Sequence, residues 1–370
     1  MRRCNTIVTS SLLLATLASA CADEAAPAPA SGQTGAAVNA LIGPGAPGRE
    51  PCGQIDEFPI PTVSQGTIFP GAMVPGADGD LWFTTGLPLL ARMSLADESV
   101  TLVPIPTTVQ NLALGPDGNV WFTTGAGLSV DHLTHSGGNV REIALPDLGF
   151  AGALTAGREG DIWVLGFDDI ARVTVGGRVT LFPIVLTAGA SSGDPIVVGA
   201  DGNVWYARPV LTTRFIHRLN RDGTVSDFQV AATGTITDLA TGPDGAIWFT
   251  TQGPGPGDNS IGRITLRGVA STVVQLPDND ATGYSTPTNM PLEITEGPDR
   301  RMYFTTYFVV PLNYIGQVTV GGQLTRFDIP TAGAASFGIT AGADGNIWFT
   351  ENFNQKVGRL DLASCRHGRR

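Results

Sequence analysis

From about residue 57 to residue 362 the chain is a succession of short apolar runs, each broken within a few positions by Gly, Pro, Asp or Asn. Inside the runs, an aliphatic or aromatic residue tends to alternate with others. Two-residue alternation bounded by turn residues predicts half-buried strands joined by tight turns. One unit recurs seven times: Gly, any residue, usually Asp, usually Gly, any residue, an aliphatic residue, an aromatic one. Its copies begin at Gly76, Gly115, Gly157, Gly199, Gly242, Gly297 and Gly342. All six Trp residues of the chain occupy the aromatic position, and Tyr303 takes it in the sixth copy. Asp-Gly supplies the positive φ that a tight hairpin needs. A large ring at a fixed place in every unit predicts packing between neighbouring sheets.

Each unit holds four strand-like runs within about 40 to 45 residues, the period of a propeller blade. The expected fold is therefore all-β: a seven-bladed β-propeller with four-stranded blades. A fourth-strand run, Glu57-Phe58-Pro59-Ile60, precedes the first Trp unit, and none follows the last. The N-terminal strand, residues 56–62, is thus expected to complete the last blade by pairing with 356–362, which closes the ring and removes an exposed edge. Cys52 lies just before that strand and Cys365 just after its partner. A Cys52–Cys365 disulfide is expected, worth about 4 to 5 kcal/mol in the chain-entropy picture.

The first residues change the picture from a cytosolic domain to an exported one. Arg2 and Arg3 precede the mostly apolar stretch from Ile7 to Leu17, and Ala18-Ser19-Ala20 reads as a cleavage site, so 1–20 is expected to be a signal peptide. Cys21 follows directly, as in a bacterial lipobox, and is the expected lipidation site. Residues 21–54 read as anchor candidate and Ala/Pro/Gly-rich linker, 55–365 as the propeller and 366–370 as a basic tail. The expected location is extracytoplasmic, as a bacterial cell-envelope lipoprotein or a secreted protein, with membrane contact only through Cys21. The formal net charge of −11 argues against nucleic acid as a partner. A monomer is expected.

The blade sequences, such as Phe337–Leu362 with the preceding Leu324–Thr331, resemble the virginiamycin B lyase family. The resemblance covers about 57 to 362. It implies ring opening of a streptogramin B antibiotic by elimination: a base removes the proton next to the ester carbonyl and magnesium steadies the developing enolate. The family's key His residues stand five places before the blade Gly. Here that column reads Gly71, Gln110, Gly152, Asp194, Thr237, Leu292 and Phe337. The positions matching the catalytic pair are Leu292 and Phe337, Ala335 matches the accompanying Glu, and Glu351 lies near the metal-binding Glu. His132 and His217 fall in third strands, His135 in a turn and His367 in the tail, which predicts structural or surface roles for all four.

Strand order also sorts the loops. Turns between first and second strands, and between third and fourth, are short and share one face. The longer loops share the other, and there binding is expected, over the mouth of the central channel. The candidate ligand contacts on that face are Asp194, Arg208, Asp238, Glu293, Tyr307, Phe337 and Asn352. Glu351 and Glu293 are candidate metal ligands, and Asp194, Asp238, Glu293 and Glu351 are expected to ring the mouth and hold magnesium or calcium. The leading expectation is a small-molecule- or protein-binding propeller. The alternatives are a metal-dependent carbon–oxygen lyase with Asp194 or Glu293 as base, and a lactonase-like hydrolase.

Overall fold

A computed structural model describes residues 53–124, 127–134, 138–184, 191, 193–210, 213–253, 255, 257–276, 289–307 and 313–362. In chain order its strands are β1 (Ile55–Pro59), β2 (Met73–Pro75), β3 (Leu81–Thr84), β4 (Leu89–Met93), β5 (Val100–Pro104), β6 (Val109–Leu114), β7 (Val120–Thr124), β8 (Ser129–Leu133), β9 (Val140–Ala144), β10 (Leu154–Ala156), β11 (Asp161–Leu165), β12 (Asp169–Thr174), β13 (Val179–Pro183), β14 (Ile196–Val198), β15 (Val204–Val210), β16 (Thr213–Leu219), β17 (Val225–Val230), β18 (Thr235–Thr241), β19 (Ile247–Gln252), β20 (Ser260–Ile264), β21 (Ala270–Gln275), β22 (Pro291–Glu296), β23 (Met302–Thr306), β24 (Tyr314–Val318), β25 (Leu324–Asp328), β26 (Ser336–Ala341), β27 (Ile347–Glu351) and β28 (Lys356–Leu360). They form seven four-stranded sheets. Six blades use consecutive strands, from β2–β5 (blade 1) to β22–β25 (blade 6). Blade 7 has the order β26-β27-β28-β1, so the N-terminal strand closes the ring. The pairing is antiparallel, Ile55 opposite Leu360 through Pro59 opposite Lys356, slightly shorter than the expected 56–62 segment. Gly53 and Asp361 extend it by backbone bonds, the Gly53 amide donating at 3.1 Å to the Asp361 carbonyl. Cys21, Cys52 and Cys365 lie outside the described residues.

Five of the six recurring Trp residues are fully buried at blade interfaces, and Trp163 is half-buried. Trp121 of blade 2, for example, shares a core with Leu154, Ile162 and Val164 of blade 3. In four of the blades the Asp in the preceding turn also does more than turn the chain: its carboxylate accepts the indole N–H. Asp117 takes that of Trp121 at 2.9 Å, Asp244 that of Trp248 at 2.9 Å, and Asp299 the Tyr303 hydroxyl at 2.9 Å. An Arg from the third strand covers several rings, as Arg263 lies 5.9 Å above Trp248 while pairing with Asp244 at 2.7 Å. Turn, ring and guanidinium thus form one repeated unit of charge-assisted bonds and cation–π contact.

Space beside the second strand is tight. Opposite its middle aromatic or aliphatic residue the third strand carries Ala91, Ala171, Gly262, Gly316 or Gly358. A Cβ on Gly358 would lie 2.1 Å from the Phe349 ring. Blades 2 and 4 place Asp131 and His217 there instead.

Candidate functional site

The seven first strands line a central channel with an open space of about 460 Å³. Among the described residues its wall is aliphatic and threonine side chains interrupted by three carboxylates, Asp238, Glu293 and Glu296, with no Lys, Arg or His.

The column five places before the blade Gly falls on β-bulges in four blades, at Gln110 of blade 2 and in the three consecutive blades 5 to 7. Register slips between Ile236 and Asp238, between Pro291 and Ile294, and between Ser336 and Ile339. A bulge re-aims the extra residue out of the ladder. Its carbonyl is then caught by the preceding blade: the hydroxyl of Thr250 donates to Leu292 at 2.8 Å, and that of Thr305 to Phe337 at 2.8 Å. Thr350 makes the same bond to Gly71 at 2.9 Å, across the ring closure.

Asp238 and Glu293 follow the bulges and repeat one device. The Ile294 amide donates to Asp238 at 2.8 Å and the Ile339 amide to Glu293 at 3.3 Å, so each carboxylate grips the next blade. Burial pushes both carboxyls above the ordinary range, and the Asp238 charge pushes Glu293 further.

The other expected contacts lie in different surroundings. The fully buried Arg208 pairs with Asp194 at 3.0 Å and donates to the Phe167 and Gly166 carbonyls of blade 3. These two were expected to meet a ligand; they form an interblade clamp, and Arg208 has no exposed side-chain surface. Asn352 donates to the Pro70 carbonyl at 3.0 Å, tying blade 7 to the loop that enters blade 1. Glu351 ends β27 with no exposure and no hydrogen-bond partner for either oxygen. Burial, then the Glu57 charge, lift its pKa to about 8, against the opposing pull of Lys356. The expected four-carboxylate ring is therefore divided: only Asp238 and Glu293 come together.

Tyr307 and Phe337 meet edge to face at 6.1 Å, with Phe353 6.4 Å from Tyr307. Phe353, Phe69 and Phe167 are 38%, 46% and 40% exposed, all in loops of the same face. Sequence reading singled out Tyr307 and Phe337 but missed the phenylalanines; an aromatic in a loop that strand order places on the binding face was the available signal.

The model of the virginiamycin B lyase family matches residues 48–207, 109–284 and 193–365, overlapping stretches that together span the propeller. The chain belongs to the virginiamycin B lyase family. A virginiamycin B lyase from Nocardia farcinica (strain IFM 10152) is 28% identical over 217 residues, 56% of this chain and 65% of that protein, so the match spans just under two thirds of the relative's length. A solved streptogramin B lyase superposes with a TM-score of 0.69 at 25% identity, covering 83% of this chain and 97% of that one. A catalytically inactive His-to-Ala variant of the virginiamycin B lyase from Staphylococcus aureus, with quinupristin, gives 0.69 at 25% identity over 84% and 99% of the two chains.

The residues of this virginiamycin B lyase family member do not fit the magnesium ion that the family implies. Leu292 and Phe337 offer no ligand atoms. Both Asp238 oxygens already accept backbone N–H groups, from Leu239 and Ile294. The ammonium of Lys356 stands across the strand pair from Glu351 and holds Glu57 at 2.7 Å. Among the described residues no three His, Cys, Asp or Glu side chains converge to hold a metal. The described histidines lie in third strands as expected. His132 stacks on Trp121 at 4.5 Å, and burial holds its pKa below the ordinary value. His217 bonds Asp227 at 2.7 Å and stacks on Tyr206 at 4.8 Å. His135 and His367 lie outside the described residues.

Proposed function

We propose that this family member is a binding propeller that takes an apolar, ring-bearing small molecule, or an aromatic segment of a protein, on its loop-rich face. The observation that carries this reading is Phe337. Where the resemblance calls for a catalytic His, a phenyl ring meets Tyr307, close to Phe353. A hydrocarbon ring cannot move a proton, but clustered aromatics, half-buried at Tyr307 and Phe337 and exposed at Phe353, supply apolar area with little entropy loss on binding. Quinupristin, present with the S. aureus relative, is the first probe. Incubation with purified protein is expected to leave the macrocycle intact by mass spectrometry, while calorimetry shows binding that Phe337→Ala and Tyr307→Ala each weaken roughly tenfold. Turnover to ring-opened product would overturn this reading.

That outcome would favour a second one, in which Glu293 is the base of an elimination. Its support is the Asp238–Glu293 pair: two channel carboxyls with raised pKa values are suited to take a proton near neutral pH. Glu293→Gln would then abolish turnover while leaving quinupristin binding in place.

On the same proposal, residues 1–20 direct export, Cys21 carries the lipid or is the free N-terminus of a secreted protein, and a Cys52–Cys365 bond fastens the two ends of the ring. The intact mass of the mature protein, before and after reduction, reads all three.

A further inference from the structure

The seventh blade brings together side chains from three distant stretches of chain. Glu57 comes from β1, Glu351 from the end of β27, Lys356 from the start of β28, and Thr331 from the loop that enters β26. The Thr331 amide and hydroxyl both donate to the Glu57 carboxylate, at 2.9 and 2.6 Å. The Lys356 ammonium reaches the same carboxylate at 2.7 Å and the Thr331 hydroxyl at 2.6 Å. Glu351 lies cross-strand from Lys356, wholly buried, with neither oxygen taken by any donor. Two carboxylates and a hydroxyl are the hard oxygen donors that magnesium and calcium prefer, yet the Lys356 ammonium already holds both Glu57 and Thr331.

We propose that the Lys356 ammonium is the built-in cation of the Glu57–Glu351 pair, that it excludes a divalent metal from the place where the family's metal-binding Glu is matched, and that its removal opens a divalent-cation site. The charges support this. An ammonium tethered by four methylenes is present at a high effective concentration that free magnesium must overcome. A divalent ion entering beside it would meet like charge at a few ångströms in a partly buried setting, where screening is weak. With the ammonium gone, Glu57 would lose its counter-ion, and the unused Glu351 oxygens would become available ligands. Because Glu57 sits on the closing strand, this internal cation also ties ring closure to the state of that corner. The inference does not depend on what the loop face binds.

The test titrates magnesium and calcium into the full chain by calorimetry and thermal shift, comparing wild type, Lys356→Met and Lys356→Met/Glu351→Gln. Wild type is expected to show no saturable binding up to about 10 mM, beyond the weak end of known calcium sites. Lys356→Met is expected to gain saturable binding at least roughly tenfold tighter than that limit, together with a metal-dependent rise in melting temperature. The double variant is expected to lose both gains. A folded Lys356→Met protein that ignores both ions would overturn the proposal. So would saturable binding to wild type that Glu351→Gln alone abolishes, and this second comparison decides the matter should Lys356→Met fail to fold.

Discussion

Asp131 sits where most blades have room only for Ala or Gly, and one of its oxygens has no partner. Burial, the larger cause, and the charge of Glu142 across the strand pair raise its pKa from 3.8 to about 6. In the unfolded chain the same carboxyl titrates at its ordinary value. Folding therefore takes up a proton between about pH 4 and 6, and the stability present below that window is lost as pH rises through it. A rise of this size corresponds to roughly 2 to 3 kcal/mol at neutral pH. Asp131→Asn has nothing to ionise, so its melting temperature is expected to exceed that of wild type at pH 7.5 and to converge with it near pH 4. Coincident curves across the whole range would show that the carboxyl carries no such penalty. The buried Trp column was legible at this scale, because six Trp in one register position admit few explanations. The indole–carboxylate bond was not, since Asp-Gly already explains itself as a turn. Nor was the Asp194–Arg208 clamp: residue order places both on the loop face but says nothing of the blade 3 carbonyls that complete it.

Between neighbouring blades, the threonine hydroxyls carry the connection at the inner rim. Thr305 is fully buried and works in two directions, donating to the Phe337 carbonyl at 2.8 Å and accepting the Glu293 amide at 3.1 Å. Thr305→Val keeps the shape and β-branching but strands a buried carbonyl and a buried N–H. The expected cost is about 1 to 3 kcal/mol, read as a lower urea midpoint with unchanged slope, and Thr305→Ser should recover most of it. A smaller drop than Thr305→Ser itself produces would mean that water reaches both groups. The threonines can be read from the repeats, in Trp-Phe-Thr. The bulges they brace cannot: alternation fixes which side chains share a face, but an inserted residue leaves the apolar pattern of the flanking positions nearly intact. The sequence column that holds Leu292 and Phe337 was therefore found without its geometric meaning.

At the level of the whole ring, a single five-residue strand decides whether blade 7 has an edge. β1 brings Phe58 to within 5.4 Å of Trp348, places the Phe58 ring 5.2 Å beneath Arg359, and supplies Asp56 and Glu57 as the partners of Arg359 at 2.8 Å and Lys356 at 2.7 Å. Closure was readable from the sequence because fourth-strand runs and Trp units are equal in number yet offset by one along the chain. Its consequence is that the first and last stretches of the domain must meet to complete the ring, so loss of β1 should be felt in every blade rather than at one end. A chain beginning at Ile60 leaves β28 with unpaired backbone groups and the Trp348 face open to water, a template for association with other chains. It is expected to melt at least several degrees lower than a chain beginning at Gly53, with a broadened transition and a tendency to self-associate in light scattering. A synthetic peptide spanning residues 53–61, added in excess, should restore the sharp transition by filling the vacant edge, and the same peptide with Phe58→Ala and Glu57→Gln should do so poorly. Should the shortened chain melt as sharply and as high as the longer one, six complete blades and a three-stranded seventh would suffice, and the coupling of Lys356 to the closing strand would lose its structural importance.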